Sequence, residues 1–343
     1  MNLSEFDFDL PPKLIAQKPL PGREQSRMMV LNRKTGEIIH SRFQEFVNYI
    51  KKGNTLVLNT TKVIPARAWG KKNGKELEFL FLKEKEKGIW EVLCRPARKV
   101  RVGDILFFPS GLQGKVIRID PEGRRLIQFS SGEVKAGLKE FGYAPLPPYI
   151  KRKKVQTDLK SMDLERYQTV FAQKEGSIAA PTAGLHFTAQ VLEKIEKKKA
   201  EIIPISLNVG LATFQPVRVT RVEDHRMLEE TYTISRAASE KINLAKKENR
   251  PVLAVGTTSV RALESAFKDG KISVGIHSTN LFIYPGYRFK VVDRLLTNFH
   301  LPKSTLLMLV SAFAATDFLK AAYDEAVRCE YRFFSYGDCM LIL

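Results

Sequence analysis

The stretch Pro251-Val-Leu-Ala-Val-Gly-Thr-Thr-Ser-Val-Arg-Ala-Leu-Glu264 predicts a short buried strand, a glycine turn and the first turn of a helix. A β-branched apolar run at 55–58 predicts a second buried strand of the same kind. Helical periodicity extends over 188–199, 239–248 and 317–330. Because buried strands that alternate with amphipathic helices are typical of α/β proteins, these segments predict an α/β main domain.

The middle of the chain has a different pattern. Short alternating apolar runs are separated by turns that contain glycine or proline, at 75–82, 89–94, 104–108, 112–119 and 125–129. This spacing predicts a small antiparallel barrel or sandwich. The run ends at the proline-rich segment 145–149, which must be extended. We therefore predict an α/β main domain that is discontinuous in sequence, residues 1–66 and 152–343, with an inserted small antiparallel β-barrel domain at 67–151.

The charge balance indicates a polyanionic partner. The chain has 56 Lys and Arg against 37 Asp and Glu, a net charge of +19. Residues 62–154 hold 22 basic and 10 acidic side chains, so the predicted barrel and the basic run 151–154 carry most of the excess. A Lys/Glu-rich surface of the thermophile type is the alternative. The unbalanced basic clusters favour nucleic acid, and we expect them to contact phosphates.

Cysteine usage and hydropathy exclude several classes of protein. The three cysteines have no CxxC spacing, so we expect neither a disulfide framework nor a structural metal site. No signal peptide opens the sequence. The longest apolar run, 306–310, is far shorter than a membrane span and predicts a buried helix. We expect a cytoplasmic protein without membrane contact.

The glycine turn of the opening stretch is the first candidate binding site. The motifs of dinucleotide-binding folds, P-loop NTPases, zinc proteases and serine hydrolases are absent, which leaves polar turns at strand ends. Free amides at a helix N-terminus favour a carboxylate or phosphate. The candidate ligands here are Gly256, Thr257, Thr258, Ser259 and Arg261. Ordinary helix capping by Thr257 or Thr258 is the alternative.

Two further segments have small or polar residues beside one functional side chain. Residues 177–188 include Thr182 and a single histidine, His186, which could act as an acid or base close to a flat ligand. A structural histidine is the alternative. Residues 208–216 include Phe214, which could stack on a base or could belong to the core.

A third candidate cluster combines one imidazole with carboxylates. Asp224, His225 and Glu230 lie within seven residues, which is sufficient for a general base held by a partner. Ordinary surface charge is the alternative interpretation.

Taken together, the segments resemble the S-adenosylmethionine:tRNA ribosyltransferase-isomerase family of queuosine biosynthesis. The resemblance is carried, in order and over almost the whole chain, by residues 8–11, 26–27, 63–67, 145–150, 167–170, 180–187, 256–261, 297–302 and 331–338. It implies transfer of the ribosyl group of S-adenosylmethionine to 7-aminomethyl-7-deazaguanine at the wobble position of a tRNA. The product would be epoxyqueuosine, with release of adenine and methionine, and we expect a monomer with no cofactor besides S-adenosylmethionine.

Two positions depart from the family pattern. Asn208 and Leu228 occur where the resemblance leads us to expect histidine, so neither can supply a required proton carrier. The remaining candidates are His186, His225, His300 and Glu230, of which we predict His186 as the base. We also predict that the turn from Gly256 to Arg261 holds S-adenosylmethionine, most simply through its methionyl carboxylate, with a tRNA phosphate as the alternative ligand. The rival interpretations are an S-adenosylmethionine-dependent RNA methyltransferase and a non-catalytic RNA-binding protein.

Overall fold

The structure, a computed structural model, describes residues 1–152, 157–210 and 217–343. The α-helices are α1 (Val134–Phe141), α2 (Thr157–Arg166), α3 (Ala189–Lys197), α4 (Arg236–Lys247), α5 (Thr257–Ala266), α6 (Thr305–Ala314) and α7 (Thr316–Arg328). The strands are β1 (Arg27–Asn32), β2 (Glu37–Arg42), β3 (Thr55–Asn59), β4 (Thr61–Val63), β5 (Arg67–Lys72), β6 (Lys75–Glu86), β7 (Ile89–Arg95), β8 (Ile105–Phe107), β9 (Gln113–Ile119), β10 (Arg125–Phe129), β11 (Lys174–Ser177), β12 (Glu201–Leu207), β13 (Glu230–Ile234), β14 (Val252–Val255), β15 (Phe267–Lys268), β16 (Lys271–Ile272), β17 (Gly275–Thr279), β18 (Arg294–Asn298) and β19 (Cys339–Ile342).

A nine-stranded mixed sheet forms the main domain, in the order β17-β13-β12-β3-β14-β18-β19-β1-β2. Its centre, β12-β3-β14-β18, is parallel throughout. Both faces are covered, so a strand such as β1 is apolar at every central position: Met28 and Val30 enter one core, Met29 and Leu31 the other. Helices α4 to α7 pack on one face. Helix α3 and a 3-10 helix, Phe43–Tyr49, pack on the opposite face.

The inserted module is a closed barrel with the strand order β10-β7-β6-β5-β8-β9. Phe79, Phe81, Trp90 and Phe108 fill its interior in edge-to-face contacts. Each of the five predicted runs forms a strand, and β5, which the sequence pattern did not predict, closes the barrel. The predicted fold class is thus confirmed. The domain limits at residues 66 and 151 stay predictions.

The apolar run at 306–310 forms part of α6, which is mostly buried, as predicted. Among the described residues no single helix is long and apolar enough to cross a membrane. Helices α6 and α7 together reach the required length and hydropathy, but they meet at an angle of 115°.

The parallel centre of the sheet determines where polar side chains collect. Strands β12, β3, β14 and β18 all end at the same edge, at Leu207, Asn59, Val255 and Asn298. Ligands of open α/β sheets bind outside the carboxyl ends of parallel strands. We therefore expect the ligand site at this edge.

Candidate active site

A cleft of about 60 Å³ lies at the carboxyl edge of the sheet. The segments that follow β12, β14 and β18 form one side of it, and the proline-rich segment and a loop before β19 form the other. Its lining includes Tyr149, Tyr167, Ala179, Ala180, Pro181, Thr182, Ala183, Val209, Gly256, Thr257, Thr258, Thr297, Asn298, His300, Phe334 and Ser335. Hydroxyl, amide and imidazole groups thus surround a concave surface with no carboxylate in its described lining.

The glycine turn after β14 forms part of this cleft, as the sequence predicted. Gly256 has φ +87°, a conformation that favours glycine, and its carbonyl accepts the amides of Ser259 and Val260. The hydroxyl of Thr258 accepts a hydrogen bond of 3.3 Å from Asn59 Nδ2, which ties the helix start to the end of β3. Thr257 and Thr258 line the cleft at the N-terminus of α5.

Ser259 and Arg261 have other partners. The Ser259 hydroxyl donates to the Val255 carbonyl at 2.8 Å. The Arg261 guanidinium forms a buried ion pair with Glu230 and donates from Nε to the Leu281 carbonyl at 3.0 Å. Neither side chain is part of the described lining of the cleft. Arg261 therefore holds Glu230 instead of facing the space where a ligand carboxylate would lie.

His186 is buried behind the cleft, in the 3-10 turn Thr182–His186. Its Nδ1 lies 2.7 Å from Ser26 Oγ, and its Nε2 lies 3.2 Å from Asn298 Nδ2. Because Asn298 Nδ2 also donates to the Phe334 carbonyl, Nε2 must be the acceptor and Nδ1 carries the proton. Burial, with the charges of Arg23 and Arg332, lowers the pKa of His186 to about 3. The imidazole is neutral and fixed.

Asn298 is a site residue that the sequence pattern did not single out. It is 2% exposed, and its Oδ1 has no hydrogen-bond partner in the described part of the chain. Two tyrosines flank the same cleft, and Tyr149 shares a hydrogen bond of 2.7 Å with Ser335. Burial raises the pKa of Tyr149 to about 12, so its hydroxyl stays protonated. The signal for Asn298 was its place in 297–302, one of the segments that carry the family resemblance.

Of the other candidate catalytic residues, His300 lines the cleft, whereas Glu230 and His225 do not. Glu230 lines a second cavity of about 590 Å³ between the barrel and the main domain, and its Oε1 accepts the Gly210 amide at 3.0 Å. Val209 lines both cavities.

His225 is half-buried against the Phe282 ring, and burial lowers its pKa. His300 lines the cleft, and burial lowers its pKa to about 3. Phe214 lies outside the described residues.

Many basic groups of the barrel already have acidic partners. Arg67 pairs with Glu78, and Lys72 pairs with Asp104. In the basic run 151–154, Arg152 makes two bonds to the buried Asp163, of 2.7 and 3.0 Å. Residues 153–154 lie outside the described residues. Within the described part of this run, Lys151 is therefore the residue that remains a candidate for phosphate binding.

One group of potential metal ligands occurs in the described part of the chain. Atoms of His40, Glu325 and Cys329 lie within 4.8 Å of one another. The Glu325 carboxylate also accepts hydrogen bonds from Arg328, which hold its pKa down to about 2. These contacts form a hydrogen-bonded surface cluster outside the described lining of the cleft.

A mixed sheet with a cleft at the carboxyl edge of its parallel strands defines an α/β ligand-binding protein. A family model described as "Queuosine biosynthesis protein" matches residues 3–342. Relatives named S-adenosylmethionine:tRNA ribosyltransferase-isomerase, from Halothermothrix orenii and Carboxydothermus hydrogenoformans, are 50% and 49% identical over 100% of both chains. The crystal structure of S-adenosylmethionine tRNA ribosyltransferase from Thermotoga maritima covers 99% of this chain and 100% of its own, with 37% identity and a TM-score of 0.56. The chain belongs to the queuosine biosynthesis protein family, which confirms the resemblance seen in the sequence.

Proposed function

We propose that this protein is a transferase-isomerase that moves the ribosyl moiety of S-adenosylmethionine onto 7-aminomethyl-7-deazaguanine in tRNA. The product is epoxyqueuosine, and adenine and methionine leave. One observation carries this proposal: the match to relatives with that name extends over the full length of both chains at about half identity. The methyltransferase and the non-catalytic alternatives have no comparable support.

The chemistry makes specific demands on the site. The sulfonium of S-adenosylmethionine makes methionine a good leaving group and acidifies the neighbouring C5′ proton, and the attacking amine must be neutral. The cleft offers hydroxyl groups and the backbone amides at the N-terminus of α5 as polar contacts for the co-substrate. We place S-adenosylmethionine here, with Thr182, Gly256, Thr257 and Thr258 as its contacts. No other cofactor is required.

The roles of Ser259 and Arg261 in this proposal are indirect. Ser259 holds the turn through the Val255 carbonyl, and Arg261 holds Glu230. Both were candidates for direct contact with S-adenosylmethionine. Their contacts instead favour a supporting role, in which Ser259 stabilises the turn and Arg261, through Glu230, stabilises the segment after β12.

His186 is proposed as a positioning residue for Asn298, because an imidazole with a pKa of about 3 is too weak a base for a carbon acid. Glu230 and His225 stay candidates for the base. Glu230 accepts a hydrogen bond from the Gly210 amide, and the neighbouring residue Val209 lines the cleft.

Replacement of His186 by alanine is expected to lower kcat by ~10²-fold and to leave tRNA affinity nearly intact, since Asn298 loses its fixed partner. His186→Gln, which retains a hydrogen-bonding amide, should recover a large part of kcat. Steady-state kinetics with both variants provide the test. Full loss in His186→Gln, together with loss of a titration from the acid limb of the pH profile, would instead make His186 the base.

The position of the base in the tRNA, the oligomeric state and the cellular location complete the proposal. We propose that the modified base occupies the wobble position, that the enzyme is a monomer, and that it acts in the cytoplasm, where tRNA is available. The names of the relatives support tRNA as the substrate, and the three finer points rest on the resemblance seen in the sequence.

The decisive experiment is incubation of the protein with S-adenosylmethionine and a tRNA that carries 7-aminomethyl-7-deazaguanine. We expect equal amounts of adenine and methionine, and epoxyqueuosine in the digested tRNA by nucleoside mass spectrometry. S-adenosylhomocysteine with methylated tRNA would identify a methyltransferase. Tight tRNA binding without any small-molecule product would identify a non-catalytic binder.

A further inference from the structure

A second, smaller pocket lies directly behind the cleft. Its volume is about 20 Å³, which is room for one small group and not for a nucleoside. Arg23 and Arg166 line it together with the buried side chains of Ser26, His186 and Ser335. Ser335 also lines the cleft, and His186 of the pocket contacts Asn298 of the cleft, so the two spaces are adjacent. We call this space the arginine pocket.

Neutral groups hold the two guanidiniums in place. Arg23 donates to the carbonyls of Leu185 and Glu165, both at 3.1 Å. Arg166 donates to the carbonyls of Leu20 and Pro21, at 2.8 and 3.1 Å. These bonds orient the planar groups and leave other N–H donors available. Arg166 Nε is buried and has no hydrogen-bond partner within the described residues.

The pocket has an excess of positive charge. Among the described side chains, no carboxylate oxygen lies within 4.0 Å of the guanidinium nitrogens of Arg23 or Arg166. Burial and the charge of Arg166 lower the pKa of the Arg23 guanidinium, although the exposed Glu165 acts in the opposite direction. Arg332 adds a third cation nearby, which the buried Asp338 carboxylate partly offsets, and its Nη1 is also buried without a partner in the described part. Partly buried, unpaired charges are costly, so the arrangement indicates a missing anion.

We infer that the arginine pocket binds one backbone phosphate of the substrate tRNA, beside the nucleotide whose base enters the cleft. This inference rests on the proposed function. Guanidinium groups match a phosphate diester through two parallel N–H bonds. The pocket shares Ser335 with the cleft, so a phosphate bound by its guanidiniums would lie close to the reacting base.

The methionyl carboxylate of S-adenosylmethionine is the competing anion. S-adenosylmethionine also carries a sulfonium and an ammonium, so the whole molecule is a cation that several guanidiniums repel. A phosphate in an RNA chain has anionic neighbours instead. Those neighbours would meet Lys18 and Arg332 at the surface, where Arg332 donates to the Lys18 carbonyl. The charge pattern therefore favours RNA.

The test measures binding of an anticodon stem–loop to the wild type, Arg23→Gln and Arg166→Gln. Arg42→Gln is the matched control, because Arg42 is an exposed arginine on β2 outside the pocket. We expect each pocket variant to weaken RNA binding by roughly tenfold. The slope of log K against log salt should flatten by about 0.7. Arg42→Gln should change affinity less than twofold, and S-adenosylmethionine affinity should be unchanged in all three variants.

A second measurement varies the RNA, so that its wild-type arm does not depend on how any variant folds. Stem–loops that carry one neutral methylphosphonate at each loop position in turn are bound to the wild-type protein and to the Arg23→Gln/Arg166→Gln double variant. One position should weaken wild-type binding by roughly tenfold and have little further effect on the double variant. Equal losses in both proteins at every position would overturn the inference. Weakened S-adenosylmethionine binding with intact RNA binding would assign the pocket to the carboxylate. Failure of the wild type to form epoxyqueuosine would contradict the proposed function while leaving the phosphate measurement valid.

Discussion

Arg261→Ala is expected to lower the free energy of unfolding by about 3–5 kcal/mol, because it leaves the Glu230 carboxylate buried without its cation. The two side chains are only 6% and 3% exposed, so water cannot replace the lost partner. Breaking one half of a buried pair is costlier than removing both halves. Urea unfolding at pH 7 measures the effect as a lower midpoint with an unchanged slope.

The control is the double variant Arg261→Met/Glu230→Gln, in which the amide oxygen can still accept the Gly210 amide. We expect it to recover most of the stability, to within about 1–2 kcal/mol of the wild type. A loss of less than about 1 kcal/mol in Arg261→Ala would contradict the burial of the pair. Calorimetry with S-adenosylmethionine on the stable double variant then separates the two roles. Affinity close to that of the wild type would show that Arg261 acts indirectly, by holding Glu230. A ten- to hundredfold loss of affinity would show that Arg261 contacts S-adenosylmethionine directly.

Acidification from pH 6.5 to 5 is expected to destabilise the protein by up to about 2.7 kcal/mol per pH unit, from two buried histidines together. Burial lowers the pKa of His186 and of His300 from 6.5 to about 3. Above pH 6.5 both are neutral in the folded and the unfolded chain, and their full contribution to stability is present. As the pH falls below 6.5, these histidines bind protons in the unfolded chain but stay neutral in the folded chain. Stability is lost until about pH 3, where the folded state also protonates.

The measurement is urea unfolding at several pH values between 7 and 5, a range in which ordinary carboxylates stay ionised in both states. The pKa of half-buried His225 is also lowered by burial, so it adds to the slope in the same direction. His300→Gln and His186→Gln should each remove up to about 1.4 kcal/mol per pH unit from the slope, whatever their effect on stability at pH 7. Constant stability over this range would show that the two imidazoles protonate in the folded protein.

The sequence predicted those parts of the fold that local periodicity controls. The strands at 55–58 and 251–255 and the five apolar runs of the barrel appear at the predicted places. Strand β5 was not predicted because Arg67-Ala-Trp-Gly-Lys-Lys72 has too few apolar residues, and its pairing with β6 and β8 defines it instead. The turn at Gly256 was predicted for the same local reason, since a glycine between a strand and a helix start is visible in the sequence.

Contacts between distant segments could not be predicted. Glu230 and Arg261 are 31 residues apart, and His186 and Asn298 are 112 apart. Taken alone in the sequence, each of these side chains could be a free functional group. The hydrogen-bond partner that the fold brings to it changes that interpretation. The roles predicted for His186, His225, Glu230 and the turn residues stay predictions, which the experiments above test.

The strand order of the large sheet has a consequence for synthesis on the ribosome. Strand β19 lies between β18 and β1, so it alone connects the β1–β2 pair to the rest of the sheet. The barrel strands end at Phe129, and β19 begins at Cys339. At a translation rate of ~5–20 residues per second, the barrel can close at least ~10 s before the main sheet can be completed. During that interval the apolar faces of β1 and β3 are not yet covered by the rest of the main domain. This is the period in which the nascent chain most needs protection from aggregation.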